Sequence, residues 1–186
     1  ISTASKGNLT VIITPEPFQG TPVKFSREVE VTGNSSVIVN YNPSLIKEMT
    51  FKEPRLWWPK GSGKPDLYRI KIQYSNSSGV IDETTFLFGI RTVDSKTVDA
   101  DGTLRRDFYV NGRRIQLIGG AWVPDMMLNR DSLRYDYEFR LCRNANINLV
   151  RIWGGGVTPS DFFFEAADRY GLLIWSDFWI TGDTQG

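Results

Sequence analysis

The chain is 186 residues long, 40% apolar and 23% charged, which describes a folded globular protein with one large domain or two small ones. Its 22 Lys and Arg balance 21 Asp and Glu, so no basic field points to a nucleic acid, and no run of 18 apolar residues is available to span a membrane. One cysteine, Cys142, and no histidine exclude an internal disulfide, Ser-His-Asp or Cys-His catalysis and a Cys/His zinc site.

From the amino end, short alternating runs recur between turn clusters: Leu9–Ile13, Val23–Phe25, Val29–Val31, Val37–Val39, Tyr68–Ile72 and Thr85–Phe88. Gly, Pro, Asn and Ser gather between them, at 15–22, 33–36 and 76–79. Repeated strands with no helical window predict an antiparallel β-sandwich of immunoglobulin size over residues 1–95. Apolar packing must hold its sheets, because no cysteine pair joins them. After the acidic turn Asp99-Ala100-Asp101-Gly102 the period changes. Phe108–Val110, Asn111-Gly112 and Ile115–Ile118 spell a hairpin whose turn needs positive φ. Asp131-Ser132 opens a helix with apolar positions at Leu133, Tyr137, Leu141 and Ala145. Asn148–Trp153 reads as a strand closed by Gly154-Gly155-Gly156. Ser160 caps a second helix carrying Phe163, Phe164, Ala167 and Tyr170, which Gly171 ends. Leu172–Trp175 follows as a strand whose continuous apolar run implies burial on both faces.

This alternation predicts right-handed parallel units over 96–186. No Gly-x-Gly-x-x-Gly lies at the first strand-to-helix turn, so a dinucleotide fold lacks its fingerprint. The pattern is the opening of a (β/α)8 barrel, with three of eight strands. The expected fold class is therefore multidomain, β followed by α/β. An open barrel exposes a strand edge and two apolar faces, so the chain is expected to be a piece of a longer polypeptide or to be completed by a second one. Three sequons, at Asn8, Asn34 and Asn76, sit in polar segments, whereas Asn42 is followed by Pro43. They lean toward a secretory, lysosomal, vacuolar or extracellular setting, or the periplasm of a bacterium. Six tryptophans and 13% aromatic residues add a bias toward carbohydrate contacts.

Leu56-Trp57-Trp58-Pro59, Gly61, Gly63, Pro65, Leu67-Tyr68 and Phe88-Gly89-Ile90-Arg91 resemble the sandwich signature of glycoside hydrolase family 2. Phe108-Tyr109-Val110-Asn111-Gly112 and Gly119-Gly120-Ala121-Trp122-Val123-Pro124-Asp125 are similar to that family's first barrel strand. Asn146, Asn148, Arg151, Trp153–Gly156, Phe163, Asp168, Gly171 and Trp175–Phe178 are similar to its second and third units. Arg151-x-Trp153-Gly154-Gly155-Gly156 resembles the β-mannosidase pattern, and Phe178–Asp183 resembles the mannosylglycoprotein endo-β-mannosidases. The resemblance implies retaining hydrolysis of β-mannosidic linkages by two glutamates about 5 Å apart, with a β-mannoside or N-glycan-derived oligosaccharide as substrate and no cofactor or metal. The family's acid/base lies in an Asn-Glu pair, and this chain has none. Beyond residue 100 only Glu138 and Glu165 occur, both in helical segments, so the catalytic pair is expected in the remainder of the hydrolase and this segment alone is expected to be inactive. Trp57 and Trp58 read as core of the sandwich or of the domain boundary.

The resemblance leaves Arg151, Trp153, Asp177, Trp122, Asp125 and Trp179 as substrate-binding or supporting residues at strand ends, where barrel enzymes place their chemistry. Arg151 would hold the nucleophilic carboxylate ionised, or else pair inside the barrel for stability. Trp153 would wall the sugar or simply pack, and Trp122 would contact the sugar. Asp177 would accept from sugar hydroxyls, cap a helix or pair with Arg151. Asp125 is equally a loop cap, and Trp179 lies on the following loop. Two other readings remain: an exo-β-glucosaminidase-type hydrolase of the same family, and a non-catalytic carbohydrate-binding or interface subunit.

Overall fold

The computed structural model describes residues 4–125 and 127–177, which fall into two compact units. The first comprises Ile1–Arg55 and Leu67–Phe88, and the second Leu56–Asp66 and Gly89–Gly186.

Strand β1 (Ser5–Glu16) pairs antiparallel with β2 (Val23–Val31) and β3 (Leu67–Asn76), and β3 pairs with β4 (Gly79–Phe88). The sheet order is β2-β1-β3-β4. Register explains why the alternating sequence settles here: Val11 lies between Phe25 and Ile72, and Ile13 between Val23 and Ile70. The same registers gather Lys24, Ser26, Arg69 and Lys71 on the opposite face, where Arg69 donates to both oxygens of Glu16. Two expected strands, Val23–Phe25 and Val29–Val31, are one strand: Ser26-Arg27-Glu28 interrupts the apolar alternation but supplies no Gly, Pro or Asn, and the ladder to β1 runs through it with Arg27 opposite Leu9.

One layer of the expected sandwich is therefore present. Among the described residues the first unit holds a single sheet, and the expected strand Val37–Val39 has no ladder. Its side chains alternate, but a strand forms only where a neighbour's backbone groups lie beside it, and Ile38 is left 86% exposed.

The second unit opens with Leu56–Asp66, a segment that leaves the first sheet's chain path and is stitched elsewhere. Trp57 N–H donates to Ile90 O, its indole N–H to Asp168 O, and Asn111 Nδ2 donates to Trp57 O. Trp57 is buried there, with the Arg91 guanidinium 4.4 Å over its ring. Of the two placements expected for it, the sandwich core or the domain boundary, Trp57 does not take the first: it is core of the second unit, in the segment Leu56–Asp66.

Strands β5 (Val93–Ala100), β6 (Thr103–Val110) and β7 (Arg113–Ile115) form an antiparallel meander. Its turns, Asp101-Gly102 and Asn111-Gly112, both have positive φ, and the second is the turn the sequence predicts. Strand β5 is too polar to be read from alternation.

Strands β8 (Gly119–Trp122), β9 (Leu149–Ile152) and β10 (Leu173–Ser176) form a parallel sheet in the order β10-β9-β8. Helix α1 (Ser132–Asn144) connects β8 to β9, and α2 (Asp161–Tyr170) connects β9 to β10. Asp131 caps α1 by accepting from Arg134 N. Ser160 stands at the start of α2 but its hydroxyl makes no cap bond; it is buried beside the Tyr135 hydroxyl. Gly171 ends α2 at φ +73, where any side chain would be strained.

The helices cover one face of this sheet through Tyr135, Phe139, Val150, Ile152, Phe163, Ala166, Ala167 and Leu172. The helix at α1 was expected, but its buried stripe is a different one. Leu133, 80% exposed, with Tyr137 and Leu141, points outward, while Tyr135 and Phe139 point in. Both stripes have i, i+4 spacing, so period alone cannot choose between them. Strand β10 also departs from the expectation of burial on both faces: Trp175 is exposed, because among the described residues Phe108 is the ring that meets it.

Candidate active site

Alternation along β9 divides the sheet. Val150 and Ile152 point to the helices, so Arg151 points to the other face, at the carboxyl end of the strand. Register sets Ala121 beside it on β8 and Trp175 beside it on β10. Asp177, two residues past Trp175, shares that face, and its N–H continues the ladder by donating to Ile152 O at 3.0 Å.

Arg151 and Asp177 form a two-pronged ion pair: Nε donates to Oδ1 at 3.2 Å and Nη2 to Oδ2 at 2.6 Å. The guanidinium bonds and the charge of Arg151 hold the Asp177 carboxyl below its usual range, and the same contacts hold Arg151 above its own. Half of the Arg151 side chain stays accessible beside the pair. Trp153, at the same parity as Arg151, is also exposed, and Gly156 N–H donates to its carbonyl to close the glycine turn.

Two of the expected site residues, Arg151 and Asp177, are thus brought into direct contact, and Trp153 is exposed on the turn that follows β9. Trp122 does not join them. It pairs with Ile152 in register, so it faces the helices, where its indole N–H donates to Glu138 and its ring meets Phe163 at 4.8 Å. Trp122, expected as a sugar contact, is partly buried and packs against the helix-side core, on the face opposite Arg151. Asp125 caps its own loop, accepting from Met127 N at 2.7 Å, with Arg134 3.5 Å away. Trp179 lies outside the described residues. Trp175, whose place in a continuous apolar run marks it as core, is instead exposed opposite Arg151. The one available signal was its i, i+2 spacing from Asp177 on a strand.

The family model for glycosyl hydrolases family 2 matches residues 1–91. A mannosylglycoprotein endo-β-mannosidase from Lilium longiflorum is 33% identical over 183 residues, covering 96% of this chain and 19% of that protein. The chain belongs to glycoside hydrolase family 2. An exo-β-D-glucosaminidase from Streptomyces avermitilis is 36% identical over 149 residues, or 80% of this chain and 16% of its own length. The family 2 chain therefore spans about one fifth of the curated relatives it matches. Its fold is shared with the β-D-mannosidase of Dictyoglomus thermophilum, at a TM-score of 0.77 and 24% identity over 96% of this chain and 21% of that one.

Neither glutamate beyond residue 100 faces the Arg151 side of this family 2 chain's sheet. Glu138 on α1 is held by Trp122 and Arg134, and Glu165 on α2 by Arg169.

Proposed function

We propose that this family 2 chain is a segment of a retaining hydrolase of β-mannosidic linkages. On this reading its first unit is one layer of an immunoglobulin-like sandwich, and β8, α1, β9, α2 and β10 are the first units of a (β/α)8 barrel. Both catalytic glutamates lie outside the segment. The observation that carries the proposal is the Arg151–Asp177 pair at the carboxyl ends of adjacent parallel strands, with Trp175 opposite Arg151 in register.

The chemistry follows from what that face offers. A fixed cation beside a nucleophilic carboxylate favours its ionised form, and the Asp177 bonds keep the Arg151 guanidinium from swinging to water. The exposed indole of Trp153 offers an apolar face to sugar C–H groups. Attack by the carboxylate on the anomeric carbon would break the glycosidic bond, the acid glutamate protonating the departing oxygen, and form a glycosyl-enzyme; water, deprotonated by that same glutamate, then displaces the carboxylate with net retention. The lily relative and the run Arg151-x-Trp153-Gly154-Gly155-Gly156 support mannose as the −1 sugar. The Streptomyces relative supports a β-glucosaminide in its place. A non-catalytic role leaves the strand-end guanidinium without a task.

The test is turnover of aryl β-mannoside, aryl β-glucosaminide and a Man-β-GlcNAc glycan by the full-length protein, with the product anomer read by NMR. Preferred cleavage of the mannosides with retention supports the proposal. Preference for the glucosaminide replaces the substrate, and no turnover of any of them removes the catalytic reading. The sequon side chains Asn8 and Asn34 are exposed, which supports a secretory setting. A mass loss on amidase treatment of the protein from its native source is expected there, and an unchanged mass would count against that setting.

A further inference from the structure

The amino ends of β8 and β9, at the other end of these strands from Arg151, open onto a cavity of about 360 Å3. Three stretches of the second unit wall it: the tip of the Leu56–Asp66 segment, β7 with its link to β8, and the turn between α1 and β9. Its volume is at the lower end of the range of about 300–1,000 Å3 for small-molecule sites. Lys60, Arg113 and Arg114 line it, and among the described residues no carboxylate does.

The walls are held in place. Lys60 N–H donates to Gly171 O at 2.7 Å and Ser62 N–H to Pro59 O at 3.0 Å, which pins the tip of the segment to the end of α2. Arg113 stands opposite Val110 in the β6–β7 ladder, and its Nη1 donates to Ser62 O at 3.3 Å. Asn148, 5% exposed, commits its whole amide to the link between β7 and β8, accepting from Ile118 N and donating to Gln116 O at 2.8 Å each.

Two of the three charges are uncommitted. Arg114 is paired, with its Nη2 3.0 Å from the buried Asp107. Arg113 spends a single N–H on Ser62 O, and among the described residues neither it nor Lys60 has an acidic partner. Cations at this end of a strand-helix unit commonly serve the last helix carbonyls. Here backbone donors already take them: Leu141 O bonds Ala145 N–H, Cys142 O bonds Ile147, Arg143 O bonds Asn146, and Ala167 O bonds Leu172.

We propose that this cavity is a binding site for a phosphoryl group, free or carried on a small organic molecule. Lys60 supplies a compact charge and Arg113 a planar fork, a pair of donors suited to a tetrahedral oxyanion. The remaining space, lined by Gln116, Ile118 and Asn146, receives an organic group. The site goes beyond the hydrolytic reading above and does not depend on it.

The test is calorimetric titration of the full-length protein with inorganic phosphate, glucose 6-phosphate and glucose at constant ionic strength. Wild type is compared with Lys60→Ala, Arg113→Ala and Lys64→Ala; Lys64 is exposed on the same segment and does not line the cavity. Saturable binding of a phosphoryl probe at a single site is expected, with no binding of glucose. Lys60→Ala and Arg113→Ala should each weaken it by about 10-fold or more, the scale of losing one charge-assisted hydrogen bond, and Lys64→Ala should leave it unchanged. Tighter binding of glucose 6-phosphate supports the site as one for a monoester, and equal binding supports it as one for free phosphate. Absence of saturable binding overturns the proposal, as does equal weakening by Lys64→Ala, which would mean diffuse attraction to a basic surface. A crystal of the wild type with the bound probe gives a reading independent of any variant. The phosphoryl group should lie within hydrogen-bond reach of Lys60 Nζ and the Arg113 guanidinium, and its placement elsewhere overturns the assignment.

Discussion

Arg151 is the side chain on which the functional reading turns, and its surroundings say what removing it should do. It is half exposed, and its charged head bonds, among the described residues, to Asp177. Arg151→Ala in the full-length protein should therefore lower kcat/KM by about 100-fold or more, the scale for deleting one oriented donor to a reacting group. Thermal unfolding should hardly move, so an equal loss of both would make Arg151 a structural residue. Asp177 adds a pH dependence whose sign is set by its lowered pKa. The carboxyl titrates below the ordinary 3.8 in the folded chain, so the pairing contributes fully above that value. The contribution fades as pH falls through the lower folded value. Amide protection of β9 and β10 should show this: the gap between wild type and Asp177→Asn narrows below about pH 4 and is constant above it. Asp168 behaves in the opposite way, since burial raises its carboxyl even against the pull of Arg91. Its ionisation costs stability as pH rises from 3.8 through its folded value.

Each secondary-structure element owes its place to a few contacts. Phe163 meets Trp122, Tyr135, Phe139 and Phe164 ring to ring, so it joins both helices to the end of β8. Phe163→Ala should cost about 3–5 kcal/mol, read from chemical denaturation of the second unit, and a cost under about 1 kcal/mol would show that the cluster collapses to fill the space. Gly119 explains why an element as weak as Gly119-Gly120-Ala121-Trp122 becomes a strand. A Cβ there would sit 1.9 Å from Leu149 O, so only glycine allows β8 to lie against β9. Gly119→Ala should break that pairing, seen as faster amide exchange along β8 and β9 and not along β5–β7. The sequence gives β8 no alternation and no β-branched residue, and only its resemblance to the family's motif marks it. Strand β9 and both helices were legible because their apolar positions recur with a period. The inward stripe of α1 was not, since Leu133, Tyr137 and Leu141 compete with Tyr135 and Phe139 at the same spacing.

At the scale of the molecule, uncovered apolar surface remains on both units. Val80, Phe86 and Phe88 are exposed on β4, and Leu133, Tyr137 and Leu141 on α1. The 186-residue chain produced alone should self-associate, and Leu133→Glu with Leu141→Lys should reduce this in sedimentation velocity. A monodisperse wild-type monomer would show these faces to be tolerated in water. The residue types and their order already determined the family and the presence of paired strands and strand-helix-strand units. These follow from local periods, turn residues and composition, which need no partner in space. Tertiary structure decided what depends on neighbours far along the chain. It chose the side of β8 on which Trp122 falls and joined Trp57 to α2. It left Val37–Val39 without a ladder and brought Arg151 to Asp177, 26 residues away. A side chain's period is written in its own segment, but its facing and its partner are set by packing and by strand register.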